Sequence, residues 1–384
     1  MYLAIRDIRF AKGRFALMGA VVALITLLLV MLSGLTAGLG NQSTSALAAL
    51  PADQLVFGAP AGSPPKASFT ESEVTRAQQA EWMARDGVAR ADALGISQSR
   101  FQALGPGGVP ARTASVAVFG TEPGTGLAPA PLAEGTVAVG AGLAAELDLS
   151  IGSRASVGGT DLIVTAIVPE QWYSHTGVVW TTLNDWQKLA HIPDGGAATV
   201  LAVKFDGGKF DGGTADAGGS DSEKISAAPG ADTVAANAAA ATVSTTVEGS
   251  FQALGSYKSE NGSLLLMQAF LYGISALVIV AFLTVWTVQR TRDIAVLKAL
   301  GGSARYILRD AMAQAALVLL AGAAAGGLAG LAGGVLASRA APFLLTPATT
   351  LLPIAGIVIL GLAGAALAVR SVARVDPLIA LGGN

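Results

Sequence analysis

The chain has 384 residues and no cysteine, which removes disulfide frameworks, thiolate metal sites, c-type haem attachment and cysteine nucleophiles. Charge is the second scarcity. Only 13% of residues are Asp, Glu, Lys or Arg, against about 25% in an average soluble domain. With 52% hydrophobic residues, the composition excludes an ordinary soluble enzyme and a disordered polyelectrolyte, and a membrane protein remains. The net charge of −2 gives no global basic field, so nucleic acid is not an expected partner. Histidine is limited to His175 and His191, neither with a partner at metal-ligand spacing, so both read as surface or structural residues. No phosphate loop of the form Gly-x-x-x-x-Gly-Lys-Ser/Thr, no Gly-x-Ser-x-Gly elbow and no metalloprotease helix motif is present. If ATP drives this protein, another chain binds it.

What is present is a set of long uncharged stretches. A charge at the bilayer centre costs about 2.5–3.5 kcal/mol on insertion scales, so gaps between charges mark candidate spans. Four gaps exceed the spanning length of roughly 18 residues: Arg14 to Asp53, Glu260 to Arg290, Asp310 to Arg339 and Arg339 to Arg370. They predict helices over 15–39, 263–289, 311–337 and 351–369, with a short turn over 338–350. The region 41–262 carries 12 basic and 22 acidic residues, while the rest carries 12 basic and 4 acidic. By the positive-inside rule, both termini (1–14 and 370–384) and the loop 290–310 face the cytoplasm, and the acidic region faces outward. The expected location is the cell membrane, multi-pass.

Residues 1–14 place Ile5, Ile8, Ala11 and Phe15 on one helical face and Arg6, Arg9 and Lys12 on another, as in a helix lying on the inner membrane surface. A charged, frayed tail is the plainer alternative. A cleaved signal peptide is disfavoured, because the apolar stretch that follows is longer than the 7–15 residues of a signal core.

The outward region, 40–262, is large enough for its own core. Valine-rich alternation predicts strands at 116–120, 136–140, 154–168, 178–182 and 200–205. Helices are expected at 141–148 and at 71–85, the latter with Thr70 as N-cap and Glu73 at N3. Residues 207–232, rich in Gly, Ala, Ser and Asp, read as a flexible insertion, and 235–257 as a helical stalk interrupted by glycine. The fold class is therefore an α-helical membrane protein with four transmembrane helices and a mixed α/β extracytoplasmic domain inserted between helices 1 and 2. Trp172, Tyr173, Trp180 and Trp186 form the one aromatic concentration, either core or a partner-binding surface. Gly322, Gly326, Gly330 and Gly334 recur every four residues, as on a helix face that another backbone approaches closely.

The most specific stretch is Gln289-Arg-Thr-Arg-Asp-Ile-Ala-Val-Leu-Lys-Ala-Leu-Gly-Gly-Ser303, an amphipathic helix with Ile294, Leu297 and Leu300 on its apolar face, Arg290, Arg292 and Lys298 supplying charge, and Gly301-Gly302 at its end. It resembles the signature of FtsX-like, MacB-type ABC transporter permeases, in which this helix docks on the ATPase. Val375-Asp376-Pro377-Leu378-Ile379-Ala380-Leu381 is similar to that family's ending, and the layout of one span, a large outer domain and three spans matches throughout. Phe10–Gly19, Gly262–Gln268 and Phe270–Ile279 resemble actinobacterial permeases known as haem exporters, the HrtB group. The resemblance implies a homodimer in membrane lipid, bound to two copies of an ABC ATPase that carries ATP and Mg, in the type VII exporter architecture, with no intrinsic cofactor and haem as the exported substrate. The alternative it leaves open is a mechanotransmission permease that drives an outer partner, a lipoprotein or cell-wall hydrolase, without transporting anything itself.

Haem needs an apolar slot, an axial ligand and a polar rim. A slot in the outer leaflet between the first and second helices of both protomers would be bordered by Met31, Glu248, Tyr257, Glu260 and Met267, with an oxygen or sulfur ligand if the histidines lie far from it. Each has a plainer role: Tyr257 as an interfacial anchor, Glu260 as a solvated helix N-terminal charge, Met267 as lipid-facing filler. The coupling role of the loop is open to direct test. Replacing Leu297 and Leu300 with aspartate is expected to abolish stimulation of the partner ATPase while leaving the permease folded; stimulation retained in the double variant would count against it.

Overall fold

The computed structural model describes residues 12–60, 62–192, 198–206, 233–289 and 304–372. Two compact units are present, one of residues 1–39 and 261–384 and one of residues 40–260. The expected insertion 207–232, the N-terminal surface helix apart from its last residues, and the coupling stretch 290–303 lie outside the described residues.

Among the described residues, four helices are long and apolar enough to cross a membrane. They are α1 (Lys12–Ala48), α6 (Gly255–Gln289), α7 (Ala304–Ala337) and α8 (Pro347–Val372). Each runs beyond its uncharged apolar stretch, because a helix already nucleated continues through polar residues that do not break it. In the first unit, Met18, Val22, Leu29, Ile279, Leu319 and Ile357 form a buried core. There the four-residue glycine pattern of α7 meets α1 directly. A Cβ added to Gly326 would stand 2.2 Å from the Ala23 carbonyl oxygen, and one at Gly322 2.8 Å from that of Gly19. Gly330 meets Val30, whereas Gly334 meets Phe343 and Leu345 of the 338–350 connection.

The second unit is a mixed α/β domain. Its strands are β1 (Gln54–Phe57), β2 (Val88–Leu104), β3 (Pro110–Thr121), β4 (Thr136–Gly140), β5 (Arg154–Val157), β6 (Thr160–Val168), β7 (Trp172–Tyr173), β8 (Thr176–Thr182), β9 (Val200–Phe205) and β10 (Val243–Thr246). The short helices are α2 (Arg76–Met83), α3 (Ala141–Leu147), α4 (Leu183–Leu189) and α5 (Thr233–Ala240). The strand order is β10-β1-β9-β2-β3-β8-β4-β6-β5, with β7 paired to β8. The seventeen-residue β2 pairs β9 along Val88–Leu94 and β5 along Phe101–Ala103, while its other edge holds β3. The pairing thus returns to β2 through β5 and closes a circuit of six strands.

Side chains alternate across a strand, and here both faces are covered, so the strands read as continuous apolar runs. Val116 and Val118 enter one core with Trp82, Phe101 and Trp186. Ala117 and Phe119 enter the other with Leu55, Phe57, Tyr173 and Trp180. The first core closes over a glycine pair. Gly95 and Gly120 face each other across β2 and β3, and a Cβ on either would stand 2.2 Å from Trp186.

Three local expectations are corrected. The helix anticipated over 71–85 with Thr70 as N-cap and Glu73 at N3 is Arg76–Met83, with Thr75 as N-cap and Gln78 completing the capping box. Residues before it are engaged elsewhere: Val74 bridges Ala198, and the Ser72 hydroxyl donates to the Thr199 carbonyl while accepting from the Gly58 N–H. The stalk anticipated over 235–257 is instead α5, then β10 on the edge of β1, then a 3₁₀ turn at Gly249–Ala253. The predicted strand over 154–168 is divided into β5 and β6 by Gly158-Gly159, both at positive φ.

The glycine pair under Trp186 makes a stability prediction. Overpacking a tight core costs about 1–3 kcal/mol, so Gly120→Ala is expected to lower the unfolding free energy of the sheet domain by that amount, read as a drop in the tryptophan-fluorescence melting temperature.

Candidate functional site

A tight turn joins β7 to β8, and its two central residues, Ser174 and His175, sit at φ 49° and 64°. This left-handed region costs non-glycine residues roughly 1–2 kcal/mol each. The turn is held by what it grips. The N–H groups of Ser174 and His175 donate to the Ser43 and Gln42 carbonyls near the end of α1, both at 3.0 Å, and the Trp172 N–H donates to the Ser45 hydroxyl at 2.9 Å. On its other side the Ser174 and Ser256 hydroxyls lie 3.1 Å apart.

The His175 ring completes the contact. Its Nε2 is 2.8 Å from a carboxylate oxygen of Glu260 and 3.1 Å from the Ser43 hydroxyl. A carboxylate oxygen accepts, so the hydrogen of this contact sits on Nε2. Both partners share one nitrogen. A hydrolytic triad instead needs the hydroxyl and the carboxylate on opposite nitrogens of the imidazole, so this cluster is not a serine nucleophile with its base. The ring is 31% exposed and the carboxylate 44%, so the pair belongs to the solvent-screened class that adds little to stability and remains accessible.

The site residues expected from the sequence are dispersed. Glu260 is the one in the cluster. Tyr257, half-buried one turn before it, packs its ring edge against Phe251 with centroids 5.9 Å apart. Glu248 is exposed at the N-cap position of the 3₁₀ turn, with no side-chain capping bond. In the first unit, Met31 packs against Gly333 of α7, and Met267 projects from α6 at 51% exposure. The coupling residues Arg290, Arg292, Ile294, Leu297, Lys298 and Leu300 lie outside the described residues.

His175 is the functional candidate that sequence reasoning missed. It lies 85 positions from Glu260, and no spacing rule links them. The available signal was indirect: a polar Ser-His-Thr-Gly between two tryptophan-bearing apolar segments reads as a hairpin tip, and a tip is where a strand pair can reach another element. Among the described residues no group of three His, Asp or Glu is arranged to hold a metal ion.

The aromatic concentration is divided by the sheet. Tyr173 and Trp180 both pack edge-on against Phe119, at 5.4 and 5.1 Å, and burial pushes the Tyr173 phenol well above its ordinary pKa. Trp186 lies in the opposite core and donates its indole N–H to the Ser97 hydroxyl. Trp172 alone is half-buried. These rings are mostly core, which removes the feature on which a tryptophan-rich partner surface rested.

Residues 265–377 match the family model for the FtsX-like permease C-terminal region. The chain carries an FtsX-like permease domain. This domain takes in most of α6 and the whole of α7 and α8, together with the loop that holds the expected coupling residues. Over 331 residues, 84% of the chain and 83% of the relative, this chain is 24% identical to a protein of Staphylococcus epidermidis provisionally named hemin transport system permease protein HrtB, and the same holds in a second strain of that species. Among solved structures, the extracellular domain of the noncanonic ABC-type transporter YknZ from Gram-positive bacteria aligns with a TM-score of 0.30 and 11% identity, over 40% of this chain and 84% of that one. The periplasmic region of MacB from Actinobacillus actinomycetemcomitans aligns with a TM-score of 0.33 and 8% identity, over 53% and 92%.

The burial of the aromatic rings is checkable by truncation. Trp180→Ala and Trp186→Ala are each expected to cost about 3–5 kcal/mol, whereas Trp172→Ala should cost about 1 kcal/mol or less. Thermal unfolding of the three variants side by side separates core from surface.

Proposed function

We propose that this FtsX-like permease is the membrane subunit of an ATP-driven exporter of haem, working as a homodimer with two copies of a separate ABC ATPase. The observation that carries the reading is the 24% identity, sustained over 84% of the chain, with a protein provisionally named as a hemin transport permease. The sequence supplies the division of labour: with no phosphate loop in the chain, nucleotide chemistry belongs to the partner, and the basic loop 290–310 is the segment available to meet it on the cytoplasmic side. The acidic sheet domain then faces outward.

For the substrate, the supporting geometry is the accessible cluster at the head of α6. Glu260 offers an oxygen donor and His175 a nitrogen donor 2.8 Å away, so His175 joins Glu260 as a proposed ligand beside the oxygen or sulfur ligand considered for histidines lying far from the slot. Haem iron accepts nitrogen, sulfur and phenolate ligands. Tyr257 supplies an aromatic edge one turn below. Met31 and Met267 remain proposed borders of the apolar slot, and Glu248, exposed on the 3₁₀ turn, a proposed rim residue. ATP binding by the partner would act on this site only by biasing two states of the permease that differ in their affinity for the substrate.

The test is spectroscopic. Purified full-length protein in detergent is expected to take up haem with a shift of the Soret band, and the combined Tyr257→Phe and Glu260→Gln variant to lose that shift. Adding His175→Gln to either single variant should alter the band further if the ring ligates iron. A Soret spectrum identical in the wild type and the double variant would overturn the site.

A further inference from the structure

The sheet domain holds an open groove of about 710 Å³ that the reading above does not use, walled by the loop 66–70, strand β2 at Ile96–Gln98, the hairpin residues Tyr173 and Ser174, and the segment 252–256. Its volume falls within the roughly 300–1,000 Å³ of small-molecule sites. Phe69, Ile96, Tyr173 and Leu254 line it from one apolar core, each between 5% and 8% exposed. The rim is made of hydroxyls and amides, among them Ser68, Gln98 and Gln252. Its charge is unusual for this domain. The region 41–262 has 22 acidic and 12 basic residues, yet among the described residues the groove lining includes no carboxylate and one cation, Lys66. Lys66 pairs with Glu71, with both side chains more than half exposed, and a solvent-screened pair of this kind is readily exchanged for another anion.

Gly255 and Ser256 complete the lining and are the first residues of the candidate span Gly255–Phe282. We propose that this groove is a binding site for an anionic amphiphile, with its apolar body over Phe69, Ile96, Tyr173 and Leu254 and its carboxylate or phosphate at Lys66. The site needs no iron and is separate from the His175 and Glu260 side chains.

The full-length chain in phosphatidylcholine nanodiscs, titrated in a calorimeter against empty nanodiscs, tests this with three probes: metal-free protoporphyrin IX, dodecyl phosphate, and dodecyltrimethylammonium as the cationic counterpart. Saturable binding of an anionic probe at one per chain, with none for the cation, is the expected result. Binding of the porphyrin alone assigns the source to flat dicarboxylic macrocycles, and binding of dodecyl phosphate as well assigns it to lipid-type head groups. Gln98→Trp and Gln252→Trp, both at exposed rim positions, fill the groove and should weaken binding by at least about tenfold, the loss of most of the apolar contact. Lys66→Gln keeps the shape and should weaken it about threefold, the range of one exposed ion pair. Equal binding of cation and anion, no saturable binding, or wild-type affinity in both tryptophan variants at unchanged melting temperature would overturn the site. If the tryptophan variants melt early, unchanged affinity in Lys66→Gln does so alone. Glu260→Gln should leave groove binding intact, so loss of haem uptake with the groove still occupied counts against the exporter reading and not against this one.

Discussion

A bilayer core offers a polypeptide no hydrogen-bond partner, and that constraint shapes the first unit. Every backbone N–H and C=O at membrane depth must be satisfied within its own segment, so the uncharged stretches can only be helices. Four are present among the described residues. Because lipid is as apolar as leucine, burial in water gives little drive to bring these helices together, and close van der Waals contact does that work. The approach of α7 to the α1 carbonyls at Gly322 and Gly326 is its form here. Polar side chains in this unit turn back on their own helices: the Thr26, Ser275 and Thr284 hydroxyls donate to the carbonyls four residues earlier. Among the described residues, the His175–Glu260 cluster lies in the sheet domain.

Much of this organisation was legible in the sequence because the signals are local. Charge gaps located the helices, and they underestimated helix length because Asn41-Gln-Ser-Thr-Ser45 ends the apolar run without ending α1. β4 and β9 coincide with the strands read from valine alternation, since a strand buried on both faces has an unbroken apolar run. The capping box was misplaced by five residues because Thr70-x-x-Glu73 and Thr75-x-x-Gln78 satisfy the same local rule, and only the long-range bridge from Val74 to Ala198 decides between them. The stalk failed for the same reason. Alanine favours a helix locally, whereas Val243–Thr246 is claimed by an edge of β1 contributed from near the start of the domain. Nothing local could have joined His175 to Glu260, because their meeting depends on the whole circuit of strands that delivers the β7–β8 turn to the two helix ends.

That turn concentrates several relations in a few residues. Two left-handed residues without glycine persist only where the surroundings hold them, and here the Gln42 and Ser43 carbonyls, the Ser45 and Ser256 hydroxyls and the Glu260 carboxylate do so. Within the sheet domain, the residues that leave α1 and those that open α6 are therefore not independent: each touches the same rigid tip. The groove shares this feature, since Ser174 and Ser256 line it. A ligand there would rest against the same pair of hydroxyls that ties the hairpin to α6.

The glycine spacing on α7 also limits how the first unit can move. Small residues face α1 at four-residue intervals, and at about 1.5 Å per residue a sliding displacement restores glycine opposite the α1 backbone only after roughly 6 Å. A smaller slide takes Gly322 and Gly326 out of register with the Gly19 and Ala23 carbonyls they face. The α1–α7 pair is thus a rack with widely spaced teeth: compliant to joint tilting, stiff to gradual sliding, and able to change register only in whole steps.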